Sequence, residues 1–245
     1  MGLSTDIDIL ISNSIKCLDE EQYSEAHNIV LSILNDKDLK EKLNTNQWQE
    51  IADIELMCSN FDLAKSAYEK ADNLPGIAFT LILLGNLIEA KNILLKSEPS
   101  PASNWGIFLV DLFAGAKIKK WPSLLLIRHF LEFTVYHLLL AKKYEYIEQL
   151  NKNLKRLLQT NLHSEKLIGL AYFHYGDLEK AIIHFNNSLQ HDNYDGELYF
   201  FFGQLYLELN RLEDAITMLE RAHSLTPDHS PTKELLEKIK KQFSL

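Results

Sequence analysis

The chain has 245 residues, 46 % of them apolar, with only 9 Gly and 6 Pro. That is enough apolar surface for a sizeable core and too few turn formers for an all-β protein with many hairpins. The net charge of −9 disfavours wholesale nucleic-acid binding, and two distant cysteines, Cys17 and Cys58, read as reduced thiols packed in helices.

The first residues, MGLSTDIDILISNS, carry Asp6 and Asp8 and no basic stretch, so no secretory signal is expected. Met1-Gly2 with Thr5 approaches a myristoylation pattern that is too short to carry weight. No apolar run nears the ~18 residues of a membrane span; the longest candidate, Leu124 to Leu140, is broken by Arg128, His129 and Glu132. The expectation is a soluble cytoplasmic protein without membrane insertion.

Apolar residues recur at three- and four-residue spacing nearly throughout, which predicts helices. Residues 7–40 give a first pair around Leu10, Ser14, Tyr23, Ala26 and Val30. A clearer pair begins near 45, with Trp48, Ile51, Ala52, Phe61, Ala64, Tyr68 and Ala71. A shortened one follows, with Ile77, Ala78, Leu81, Gly85-Asn86-Leu87, Ala90 and Leu94, and Asn86 with Glu89 looks like a cap. The connector SEPSPASN, 97–104, precedes three helices, at 104–118, 122–141 and 144–159. Lys143 to Ile147 looks like the start of a second helix of a pair, so 122–141 pairs with 144–159, and 104–118 is the irregular element.

Two stretches then match at a fixed offset. Gly169, Tyr172 and Ala181 are followed 34 residues later by Gly203, Tyr206 and Ala215. Repeats at 162–195 and 196–229 follow, each with a small Gly on its first helix and an Ala on its second. Their turns are Tyr175-Gly176-Asp177 and Asn210; Asn210 with Glu213 makes a capping-box pattern. Pro227 ends the second repeat, and a polar-faced helix at 231–243 covers the end. The organisation is therefore 1–96 (N-terminal repeats), 97–160 (irregular, with one loose repeat) and 161–245 (two clear repeats and a cap). About fourteen helices are expected.

The 34-residue period with Gly, Tyr, Ala and a large apolar residue in this order resembles the tetratricopeptide repeat family. The resemblance is strong over 162–229, good over 45–96 and loose over 7–40 and 122–159. It implies an all-α fold, a right-handed superhelical solenoid of antiparallel helix pairs, here with an irregular middle and a bend near 97–120. It also implies a concave groove lined by the first helix of each pair, holding a peptide or helix from a protein partner.

Within Tyr199-Phe200-Phe201-Phe202, successive residues turn by ~100°, so four rings cannot share one seam. Tyr199 and Phe202 fall with the core; Phe200 and Phe201 go to the groove or to a neighbouring repeat. The groove face collects His163, Lys166, Leu170, Phe173 and His174 from one helix, and Glu197, Phe200, Phe201, Gln204 and Leu207 from the next. Some family members clamp a chaperone's terminal carboxylate with Lys, Asn and Arg. The matching places here are Ile11, Ile15, Glu50 and Asp72, then Lys166, Leu170 and Phe201, which departs from that pattern.

Charge is uneven: residues 101–160 hold 4 acids and 9 bases, while 1–100 hold 17 acids and 8 bases. The basic middle reads as a solvated face or a contact for an acidic partner, including a second copy. No catalytic, metal or cofactor site is read. His129 and His137, eight apart with Glu132 between, do not converge as metal ligands, and His184 and His191 lack a partner motif. There is no phosphate loop, HExxH or GxSxG. Trp48, Trp105 and Trp121 are expected core anchors. The reading is a non-enzymatic scaffold or adaptor with a protein or peptide partner and no nucleic acid. The alternatives are a chaperone-like subunit for secretion or appendage assembly, and a regulatory subunit of an enzyme; self-association is a further possibility.

Overall fold

A computed structural model describes residues 2–157 and 163–243, with side chains over 6–155 and 164–241. Among these residues every regular element is a helix. They are α1 (Gly2–Asp19), α2 (Tyr23–Asn35), α3 (Lys37–Lys40), α4 (Thr45–Met57), α5 (Phe61–Lys70), α6 (Leu74–Leu84), α7 (Leu87–Leu94), α8 (Pro101–Phe113), α9 (Leu124–Leu140), α10 (Tyr144–Leu157), α11 (His163–Tyr175), α12 (Leu178–Leu189), α13 (Gly196–Glu208), α14 (Leu212–Leu225) and α15 (Ser230–Phe243). The fifteenth helix, one more than expected, is the single turn α3. Asp36 creates it by accepting from the Asp38 and Leu39 amides.

The chain forms two compact units. One holds the residues up to Leu126 together with Leu140–Gln149; the other holds Ile127–Leu139 and the residues from Leu150 onward. In the first, α1 packs on α2, α4 on α5 and α6 on α7, and α4 also touches α1 and α2. The irregular α8 packs on α6 and α7. In the second, α11 pairs with α12 and α13 with α14; α11 meets α13, and α15 closes on α14. Each unit is thus a stack of helix pairs, and the first helices α1 and α4, and α11 and α13, touch.

Local chemistry explains the boundaries. Asn44 and Gln47 form a reciprocal capping box on α4, and Ser100 with Ser103 does so on α8, where Pro101 takes the first position. Asp177 and Asp195 cap α12 and α13. The turns Lys142, Gly176 and Asn210 have positive φ of 55°, 89° and 56°, and they fall 34 residues apart, so the period reaches back through α9 and α10.

Asn210 is accordingly the left-handed residue of its turn, not a cap. Arg211 holds the cap position without a side-chain cap bond and instead donates to Asp214. Asn86 does hold the cap position of α7, yet its side chain makes no cap bond, and Gly85 supplies the left-handed turn.

The cores follow the repeat. A Cβ on Gly169 would come within 2.4 Å of Phe185, and one on Gly203 within 2.5 Å of Leu219. Only glycine permits these crossings. Phe185 and Phe202 are fully buried and meet edge to face at 5.2 Å, each side chain contributing about 2 kcal/mol by burial. Trp105 is buried and Trp48 half-buried, but Trp121 is 40 % exposed. It lies in the non-helical stretch 114–123 and touches Phe108 at 5.9 Å, so it is no core anchor.

Candidate functional site: a charged depression in the second unit

The 34-residue period places Glu132, Lys166 and Phe200 at one level of α9, α11 and α13. The first two face an open depression of about 430 Å³. Leu167 and Leu170 of α11 line it, with Arg128 of α9, Asp192 and Asp195 of the α12–α13 turn, and Glu197.

Lys166 is only 7 % exposed. Its ammonium lies 2.8 Å from Asp195 Oδ2, 3.1 Å from Oδ1 and 2.5 Å from Glu197 Oε2. Asp195 also accepts the Leu198 amide as the α13 cap, so one carboxylate fixes both the helix start and the lysine. Glu197 stays 62 % exposed despite its bond. On the other side, His174 Nδ1 sits 3.1 Å from Glu132 Oε1. An ion pair from Lys166 and a polar contact from His174 therefore bridge α11 to both neighbouring first helices.

The ten residues predicted for a groove divide into groups. Lys166, Leu170 and Glu197 line the depression, and His174 reaches its wall through Glu132. Phe173 and Phe201 are half-buried and meet at 6.4 Å. Phe200 turns instead toward the C-terminal cap: it packs with Leu207 against Leu219, Leu236 and Ile239, and lies 5.0 Å from the His229 ring. Gln204 is half-buried. The His163 side chain lies outside the described residues. Sequence reasoning missed Arg128, Glu132, Leu167, Asp192 and Asp195; counting back 34 from Lys166 would have found Glu132.

A second polar cluster lies beneath α11. The buried Glu165 carboxylate takes His184 Nδ1 at 2.7 Å, Lys155 Nζ at 2.8 Å and Asn187 at 3.3 Å. Burial alone would raise this acid; the bonds from His184 and Lys155 outweigh it and hold it at about 2. His184 thus has a structural partner that its surroundings in sequence did not reveal. His137 is fully buried, and burial drives it down to about 4, partly offset by its bond to the Phe133 carbonyl.

None of these clusters pairs a nucleophile with a base. No group of three His, Cys, Asp or Glu able to hold a metal occurs among the described residues, and none of the described helices is long and apolar enough to cross a membrane. The depression offers charged and apolar side chains to whatever enters it.

Stacked helix pairs with a glycine crossing and a 34-residue spacing define an all-helical repeat protein. Residues 172–239 match the tetratricopeptide repeat family, so the repeats of the second unit are of the tetratricopeptide class. Proteins of this class are generally non-catalytic and bind protein or peptide partners. No curated protein matches the chain. Similar solved structures include a tetratricopeptide repeat protein from Parabacteroides merdae (15 % identity, 96 % of this chain and 99 % of that one, TM-score 0.42). PilF of Pseudomonas aeruginosa is 12 % identical over 97 % and 100 %, at 0.39. YrrB, described as having an unusual peptide-binding site, is 15 % identical over 79 % and 92 %, at 0.37. No function carries across at such values.

Proposed function

We propose that the protein is a non-enzymatic scaffold or adaptor that holds a segment of a partner polypeptide in the depression formed by α9, α11 and α13. One observation carries this reading: three successive first helices turn side chains to one open surface that has a leucine floor and a charged rim. A floor of Leu167 and Leu170 suits apolar side chains of a guest, and the rim suits its polar groups. The free thiols of Cys17 and Cys58 suit a reducing compartment, so the setting we assign is the cytoplasm.

The test is site-directed photocrosslinking of peptides selected by display on the full chain. A photoreactive residue at His174, beside Glu132 of the lining, should capture the selected peptide. The same residue at Asn186, exposed on α12, should not. Capture from position 186 alone would remove the guest from the depression and end this assignment.

A further inference from the structure

We infer that the partner segment is basic, and that its lysine or arginine docks beside the Lys166 ammonium on the carboxylates of the depression; this rests on the binding reading above. The wall already contains a worked example of the chemistry. The ammonium of Lys166 is seated between Asp195 and Glu197 with three short contacts, so the depression is built to hold a cation at low solvent exposure.

Acceptor capacity remains after that pairing. Glu197 engages Lys166 through Oε2 only, and Glu132 meets His174 through Oε1 only. Asp192 accepts the Tyr194 amide through Oδ1 only. The second oxygen of each makes no hydrogen bond among the described residues. Three carboxylates from α9, the α12–α13 turn and α13 thus present spare acceptors to one opening.

Charge points the same way. The lining holds four acids, Glu132, Asp192, Asp195 and Glu197, against two bases, Arg128 and Lys166. Lys166 is already neutralised by two of the acids. An acidic guest would have only Arg128 to pair with and would face repulsion from the rest. A guest alternating basic and apolar side chains satisfies both the carboxylates and the Leu167–Leu170 floor.

The experiment is fluorescence anisotropy with the full chain and three short labelled peptides of alternating leucine and a second residue, which is lysine, glutamate or serine. The lysine peptide should bind on the order of tenfold more tightly than the serine peptide and weaken as salt is raised. The glutamate peptide should be the weakest of the three. Asp192→Asn and Glu197→Gln should each weaken the lysine peptide several-fold, and Glu220→Gln, on α14, should leave it unchanged. Asp192→Asn breaks no partner in the wall, so its effect reads docking even if Glu197→Gln loosens Lys166.

Equal binding of all three peptides, abolished by a bulky His174→Trp, would keep the depression as the binding site and overturn its basic selectivity. Lysine-peptide binding indifferent to Asp192→Asn and Glu197→Gln but lost with Glu220→Gln would be general attraction to an acidic protein, which also overturns it. Binding of none of the peptides would overturn the inference, and the crosslinking test would decide the broader reading separately.

Discussion

The two units solve one packing problem with different chemistry. On α11 and α13, Gly169 and Gly203 are each followed three residues later by a tyrosine. Tyr172 stacks on His184 at 5.3 Å, and Tyr206 lies under the Arg211 guanidinium at 4.6 Å. On α4 of the first unit the matching places hold Ala52 and Glu55. Glu55 is fully buried, and its carboxylate accepts from His27 at 2.9 Å and Asn60 at 2.7 Å. At this level the second unit therefore relies on a close backbone crossing and aromatic cover, its own buried carboxylate, Glu165, lying one turn earlier on α11. The first relies on a buried carboxylate bound to the previous pair and to the cap position of α5. An apolar crossing tolerates few shapes, whereas a polar cluster tolerates few chemistries.

The largest effect that can break this comparison is expected at the glycines. Gly169→Leu must displace the fully buried Phe185 ring, and Gly203→Leu must displace Leu219. Each should cost about 3 kcal/mol or more, read as a lower urea midpoint. Ala52→Gly in the first unit should cost less, about 2 kcal/mol, through helix propensity and the loss of a fully buried methyl. Equal losses in both units would show that the crossings do not differ.

Glu55→Ala comes next. It removes the shared acceptor and leaves His27 and Asn60, 3.0 Å apart, only each other as partners, at a cost of about 2–3 kcal/mol. Hydrogen exchange should rise across α4 and α5 of the first unit. Tyr172→Ala should not reproduce this pattern. Unchanged exchange in α4 and α5 of the variant would contradict the network.

Acid should then separate the units further. His137 is held neutral by burial, at about 4 against an ordinary 6.5. The unfolded chain therefore binds more protons between those values, and stability falls as pH drops from about 6.5 to 4. Glu165, held at about 2 against 4.5, adds a second loss as pH falls from about 4.5 toward 2. Both groups lie in the second unit, and each contributes on the order of 2 kcal/mol. Acid melts should therefore loosen the second unit in two steps. Glu165→Gln should abolish the lower step, and a single step in the variant and the wild type alike would rule the assignment out.

These contrasts also explain what the sequence revealed. Glycine, tyrosine and alanine at 34-residue offsets mark the second unit because each residue type is dictated by steric contact. Glu55 leaves no such mark: its partners are 28 residues upstream and 5 downstream, and only the folded backbone brings them together. The same holds for the depression. Lys166, Leu170 and Glu197 were legible from helix phase. Asp192 and Asp195 were not, because turn residues have no helical phase to read. Phe200 has the right phase for a groove, but α15 sits against it, and the docking of a terminal helix is not written in the repeat.

The smallest expected effect lies in the turns, where sequence differs most while geometry differs least. Glu21, Ser59, Lys142 and Asn210 adopt positive φ of 59°, 64°, 55° and 56°, against 91° and 89° for Gly85 and Gly176. A side chain in this region costs up to about 1 kcal/mol relative to glycine, and least for asparagine. Ser59→Gly should therefore stabilise the first unit by about 0.5–1 kcal/mol, after the loss from a more flexible unfolded chain is subtracted. Asn210→Gly should change the second unit by only a few tenths. Gly176→Ala should destabilise it by about 1 kcal/mol through backbone strain, since nothing lies within 4 Å of a Cβ there. The three substitutions isolate conformation from packing, because none of them touches a core side chain. A neutral Gly176→Ala would mean that the turn relaxes into a right-handed geometry, and the 34-residue alignment of the turns would then rest on helix contacts alone.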